Sequence, residues 1–273
     1  MKKTALPAIL AIFFITISFT ACDDFFSSGW GSPRDYRVEN INLTVNNVER
    51  WFDRSIGNPP LAMRVNEAIL LRLDDPNLSP EDRRVFLMYG VRIAVASSNM
   101  GVIILSNALG ALADLADNYE DMADMLLEIL GSIQSDFRNA GGSAAADNIA
   151  NMVMRNNGIQ TGPNGAPIFS GDSFANDASP SDVAKIIMVL ALAEAEYRDL
   201  DMDEYWDFDL YELGLELDGN YVVIIDTSEP PSPTLLALAA YLNLVNTDDR
   251  FEDNFLTGAI RDSFFGSNTG SED

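Results

Sequence analysis

The densest set of side chains that could bind a ligand is an acidic stretch between residues 199 and 212. Carboxylates recur there, mostly at every second residue, with apolar residues between them. Ca²⁺ prefers oxygen ligands and needs about six to eight of them. The pattern therefore indicates a candidate calcium site. Its candidate ligands are Asp201, Asp203, Asp207, Asp209 and Glu212.

The spacing of these carboxylates departs from the calcium-binding loop of EF-hands. A loop that starts at Asp201 places Glu212 correctly, but it puts Tyr205 where an oxygen ligand belongs and Trp206 where a glycine belongs. The broken motif favours a second interpretation, in which the stretch is a solvated acidic connection whose apolar residues pack inward. We expect no cofactor, with Ca²⁺ as the less favoured alternative.

Catalytic chemistry is restricted by two residue types. The chain has no histidine, and Cys22 is its only cysteine. Catalysis by Ser-His-Asp or Cys-His groups, zinc held by histidine and metal held by thiolate clusters are therefore excluded. Disulfides within the folded part are excluded as well. A hydrolase that uses a pair of carboxylates is the remaining acid–base alternative, and it is the least favoured one.

One short motif resembles a catalytic block. Gly171-Asp172-Ser173-Phe174 is similar to the opening block of the GDSL hydrolases, whose serine is the nucleophile. That family also needs a catalytic histidine, which this chain lacks. We therefore expect Asp172 and Ser173 to form a turn, we name no catalytic residue, and we predict that the protein is not an enzyme.

Four Ser-Pro pairs predict where helices begin, because serine caps a helix and proline suits its first position. They lie at Ser32, Ser79, Ser179 and Ser232, at intervals of 47, 100 and 53 residues. The intervals fit a repeat of about fifty residues with one start missing, as in arrays of helix pairs. The alternative is that Ser-Pro is simply a common helix opener.

The elements between these starts are also readable. Apolar residues at spacings of three and four predict a helix across residues 32–52. Two apolar runs around Asp218-Gly219-Asn220 predict a β-hairpin over residues 213–225. Residues 158–179 are rich in Gly, Pro, Asn and Ser, which predicts a long loop that is either a domain boundary or a binding loop.

An uncharged run from Ile93 to Ala113 is long enough to cross a bilayer. Serine, asparagine and glycine residues interrupt it, however. A buried core helix that breaks near Ser97–Gly101 is therefore favoured over a membrane span.

The N-terminal segment has the pattern of a secretory signal. Lys2 and Lys3 form a basic head, an apolar run follows, and Thr20-Ala21-Cys22 closes it. This ending resembles the signal of bacterial lipoproteins. The resemblance implies that Cys22 carries a diacylglycerol and becomes the mature N-terminus. A plain secretory signal, or a single N-terminal span with Cys22 incidental, is the alternative.

The charge limits the partners. The chain has 42 acidic and 17 basic residues, a net charge of −25, and loss of the signal would remove two more lysines. Nucleic acid and anionic lipid headgroups are poor partners for such a surface. The membrane would be reached through the lipid, and the expected partner is another envelope protein. The sequence does not indicate a small-molecule ligand.

These patterns predict a mainly α-helical protein, either a bundle or a short array of helix pairs, with one small hairpin. Residues 1–21 are the expected signal and 22–31 a lipidated flexible tether. A helical domain covers 32–265, with a subdivision considered at 158–179, and residues 266–273 form a disordered tail.

The predicted role is non-enzymatic. It is that of a binding or scaffold module for an envelope or transport component, held on the extracytoplasmic side of a membrane, at the periplasmic face or the cell surface. A receptor for a solute or for Ca²⁺ is the first alternative.

Overall fold

The computed structural model describes residues 41–99, 133–155, 158–171, 173–198, 213–218, 222–225, 230–251 and 257. In these residues the protein is mainly α-helical, as predicted, and residues 133–139 belong to a helix as well. The other helices are α1 (Val48–Ser55), α2 (Pro59–Leu73), α3 (Pro80–Ser97), α4 (Gly142–Met154), α5 (Pro180–Tyr197) and α6 (Pro233–Thr247).

The Ser-Pro pairs open helices for the reason that the sequence suggested. The hydroxyl oxygens of Ser79, Ser179 and Ser232 each accept a hydrogen bond from the amide three residues later, at 3.1, 3.2 and 2.9 Å. Each bond satisfies one backbone donor that the first turn of a helix leaves unpaired. The fourth pair, at Ser32, lies outside the described residues.

The helix predicted across residues 32–52 is wrong between residue 41 and the start of α1. Burial alternates from residue 41 to residue 44, which is the pattern of an extended segment and not of a helix. The Asn47 side chain then closes a turn, because it accepts from the Thr44 amide and donates to the Asn42 carbonyl, both at 2.9 Å. Such local side-chain bonds compete with a helix.

The uncharged run that begins at Ile93 starts as a core helix. α3 ends at Ser97, and Asn99 has a left-handed backbone with φ of 55°, so the break predicted near Ser97 is confirmed. Residues 100–113 lie outside the described part of the chain. None of the helices that the structure describes is both long enough and apolar enough to cross a membrane.

Two antiparallel hairpins accompany the helices. The one predicted over residues 213–225 is confirmed, with strands β3 (Leu215–Leu217) and β4 (Val223–Ile225). A second hairpin, β1 (Ile159–Thr161) with β2 (Pro167–Phe169), lies in the segment for which a long loop was predicted. A 3₁₀ turn, Phe174–Asp177, follows it. The segment is therefore ordered by its own backbone hydrogen bonds.

The hydrophobic core is one cluster of buried residues that extends from Ile41 to Phe251. α3 packs on α2, α4 and α5, while α6 packs on α4, α5 and both hairpins. α6 is buried on almost every side, including every residue from Ala237 to Val245. The two parts of the chain before and after residues 158–179 therefore share this core.

The buried carboxylate of Glu194 links α5 to α6. Its exposed fraction is only 1%, and a charge at such a position needs polar partners. The Ser232 hydroxyl donates to it at 3.0 Å, and the Arg198 guanidinium donates to it at 3.2 Å. The cap of α6 is thus also the partner of the buried acid at the end of α5.

Asn243 provides the polar contact between α6 and the two hairpins. Its Oδ1 accepts from the Val223 amide at 2.7 Å, and its Nδ2 donates to the carbonyl oxygens of Val223 and Pro167, each at 2.9 Å. The side chain is 1% exposed. Because water does not reach these groups, one amide satisfies backbone atoms of both β2 and β4.

Replacing Asn243 should therefore destabilise the protein markedly. We expect Asn243→Ala to lower the free energy of unfolding by about 3 kcal/mol, since it leaves three buried backbone groups without this partner. Urea denaturation followed by circular dichroism measures the change. Asn151→Ala, at an exposed position of α4, is the matched control and should change stability little. Equal urea midpoints for the two variants would contradict the role of Asn243 as the polar link between α6 and the hairpins.

Candidate functional site

The residues that the sequence nominated lie outside the described part of the chain. This holds for the lipidation candidate and for every ligand of the acidic stretch: Cys22, Asp201, Asp203, Asp207, Asp209 and Glu212. Within the described ranges, no three acidic, cysteine or histidine side chains are grouped so as to hold a metal ion. The calcium site stays a prediction.

Ser173, the serine of the block similar to GDSL hydrolases, has a structural role. It is buried, and its hydroxyl oxygen accepts from the Ala175 amide at 3.3 Å to open the 3₁₀ turn. Its own amide donates to the Ser170 carbonyl oxygen at 2.9 Å. These bonds fit the turn that the composition of the segment predicts.

An open cleft of about 530 Å³ lies between the start of α3, the end of α4 and the segment 158–174. Its volume is in the range of sites that hold small molecules. Three basic residues line it, and we call them the cleft arginines: Arg83, Arg84 and Arg155. Four apolar residues line it as well: Leu78, Pro80, Leu87 and Phe174.

α3 supplies one wall of the cleft. Arg83 and Arg84 precede Leu87 by four and three residues, so each of them is a neighbour of Leu87 on the surface of this helix. Arg83 is held in place by two carbonyl oxygens at the end of α2, those of Leu73 at 2.7 Å and Asp75 at 3.2 Å. Both partners are carbonyl oxygens, and within the described residues the Arg83 guanidinium forms no ion pair.

The other two cleft arginines form ion pairs across elements. Arg84 donates through Nε and Nη2 to Asp177 at 2.7 and 2.6 Å, and Arg155 donates through Nη1 to Asp74 at 2.8 Å. The two aspartate side chains are 52% and 65% exposed. Water competes for such carboxylates, so each pair contributes about 0.2 to 1 kcal/mol to stability.

The opposite wall of the cleft is fixed by local hydrogen bonds. The Ser170 amide donates to the Gly158 carbonyl oxygen at 3.0 Å, which closes the base of the β1–β2 hairpin. The Asn176 side-chain amide then donates to the carbonyl oxygens of Ser170 and Gly171, each at 3.0 Å. The cleft is therefore bounded by a helix on one side and by an ordered turn on the other.

One feature of the sequence indicates this cleft, although no prediction was based on it. Arg83-Arg84 follows directly on the Ser79-Pro80 helix start. A helix N-terminus favours acidic side chains, so two adjacent arginines at the end of its first turn are badly placed for the helix dipole. In a strongly acidic chain, such a placement indicates that the arginines serve a contact outside their own helix.

Comparisons with known proteins give no assignment. Neither the family models nor the curated proteins nor the solved structures include one that matches this chain. The cleft and its chemistry are therefore the observations from which a function can be argued.

A buried titratable group, Tyr241, lies away from the residues that line the cleft. Burial raises the pKa of the Tyr241 phenol far above its ordinary value, and the negative charge of Asp182 raises it further. The Tyr241 hydroxyl has no hydrogen-bond partner among the described residues, and its ring packs edge-on against Phe169 at 4.8 Å. We assign Tyr241 to the core of α6.

Tyr241 makes stability depend on alkaline pH. Below the pKa of about 10 that the phenol has in the unfolded chain, ionisation of Tyr241 does not lower the free energy of unfolding. At higher pH it does, because only the unfolded state ionises there. At pH 7 we expect the free energy of unfolding of Tyr241→Phe to lie within about 1 kcal/mol of the wild-type value. At pH 11 we expect the difference, variant minus wild type, to be about 1 kcal/mol larger than at pH 7.

Urea denaturation at both pH values measures this difference. Tyr197→Phe is the matched control, because the Tyr197 side chain is 79% exposed. A pH dependence that is the same in all three proteins would contradict the burial of the Tyr241 hydroxyl.

Proposed function

We propose that this chain is a lipid-anchored protein of the cell envelope that acts by binding and not by catalysis. The observation that carries the binding role is the cleft, which combines ordered walls, cleft arginines and an apolar surface in one cavity of about 530 Å³. Pockets of this size with a few placed polar groups are typical of ligand sites. The anchor rests on the signal pattern that ends at Cys22.

The first form of this role is a binding or scaffold module for another envelope protein or a transport component. The helical domain would then present a fixed surface on the extracytoplasmic side of the membrane. The strongly acidic composition favours a partner that carries basic groups, because opposite charge speeds association and suppresses wrong partners.

The second form is a solute receptor. The position of the cleft favours it, since residues of the segment 158–179, considered from its composition as a binding loop, line the cavity: Gly158, Ser170, Ser173 and Phe174. In this form the bound molecule, and not a protein surface, is what the domain recognises.

The anchor is tested by replacing the acylated residue. We expect Cys22→Ala to move the protein from the detergent phase to the aqueous phase in a detergent phase separation, because several acyl chains hold a protein to a membrane far more firmly than one. We expect Cys22→Ser to leave the detergent phase as well, because serine lacks the sulfur that would carry the lipid. A Cys22→Ala protein that still enters the detergent phase would overturn the lipid anchor.

The binding role is tested by co-purification. The full chain is extracted from membranes in a mild detergent, and the complex is analysed by native mass spectrometry. A stoichiometric protein partner is expected for the scaffold, and a bound small molecule is expected for the receptor. A chain that carries neither after gentle extraction, and gains neither when membrane extract is added, would contradict both forms.

A further inference from the structure

The charge of the cleft contrasts with the charge of the chain. Acidic residues outnumber basic ones by 42 to 17, yet the cleft is lined by three arginines and by Glu81 as its one acidic residue among those described. Glu81 is exposed in the first turn of α3, where an acidic side chain suits the helix dipole. The position of Glu81 is thus explained by its own helix, whereas that of the arginines is not.

We propose that the cleft binds a small organic anion, whose acidic group is held by the cleft arginines and whose apolar part lies against Leu78 and Pro80. This inference rests on the proposed binding role, in its receptor form, and names the chemical class of the ligand. It treats the arginines as the recognition groups of the site.

Arg155 is available to such a ligand because its partner is weakly held. Asp74 pairs with Arg155 in a largely exposed position, where water competes for the carboxylate. A ligand carboxylate in the cleft could accept two parallel bonds from this guanidinium, whereas Asp74 accepts one. Ligand binding therefore exchanges a single exposed contact for a bidentate pair.

Arg83 adds a positive charge that does not have to be released. Its guanidinium is fixed by the carbonyl oxygens of Leu73 and Asp75, so its direction is set before a ligand arrives. A group that is ordered in advance loses little freedom on binding. Arg83 therefore attracts an anion to the cleft while Arg155 exchanges its partner.

The apolar wall defines the rest of the ligand. Leu78 is partly exposed and Pro80 is exposed, and both line the cleft. An inorganic ion would leave this wall in contact with water, whereas an aliphatic or aromatic group would cover it and gain binding free energy. The chemistry of the walls therefore favours an organic acid over a bare phosphate or sulfate ion.

Calorimetry with matched pairs of compounds tests this proposal. The full chain in a non-ionic detergent is titrated with 3-phenylpropionate and hexanoate, with their neutral amides, and with inorganic phosphate. We expect at least one of the two acids to bind about tenfold or more tightly than its amide and than phosphate, because the amide lacks the charge and phosphate lacks the apolar group.

Variants locate the site. Arg84→Gln and Arg155→Gln should each weaken binding of the acid by about tenfold, and Arg155→Lys should weaken it less because it keeps the charge. Arg138→Gln is the matched control, since Arg138 also forms an ion pair between elements, with Glu196 at 3.0 Å, but does not line the cleft. Melting temperatures show whether each variant is folded.

Several outcomes would overturn the proposal. These are equal affinities for acid and amide, binding of phosphate alone, absence of binding by both acids at millimolar concentration, or loss of binding in Arg138→Gln to the same extent as in the cleft variants. If the acids fail to bind but co-purification yields a protein partner, the binding role stands and the organic-anion inference fails.

Discussion

The arrangement of the described part of the chain depends on α6 being buried on almost every side. A helix in this position needs neighbours all round, and here they are α4, α5 and two hairpins of three-residue strands. Hairpins this short are only marginally stable in isolation. Asn243 stabilises them, because its buried side-chain amide forms hydrogen bonds with the backbone of both hairpins and joins them to the core.

Local chemistry in the sequence predicted local structure well. Ser79, Ser179 and Ser232 cap helices because the signal and its structural effect lie within four residues. The hairpin at 213–225 was predicted for the same reason. The β1–β2 hairpin was missed because its strands are short and its composition is that of a loop. Its packing on α6 is a tertiary contact that no local pattern reveals.

The site was much less predictable than the fold. The cleft is built from the start of α3, from Arg155 after α4 and from the segment 158–174. These parts lie next to one another because α3 packs against α4 and against the 3₁₀ turn Phe174–Asp177. Nothing in the spacing of Arg84 and Arg155 along the chain indicates that they share a cavity. The acidic stretch of residues 199–212, by contrast, has regularly spaced carboxylates, which make it a candidate metal site from the sequence alone.

The arginine-lined cleft in a chain with a net charge of −25 has a kinetic consequence. An approaching anion is repelled by the whole molecule at long range and attracted by the cleft arginines only at short range. At physiological ionic strength, charges more than about 8 Å apart are largely screened. Association should therefore be slow in dilute salt and accelerate as salt is added, the reverse of what electrostatic steering produces.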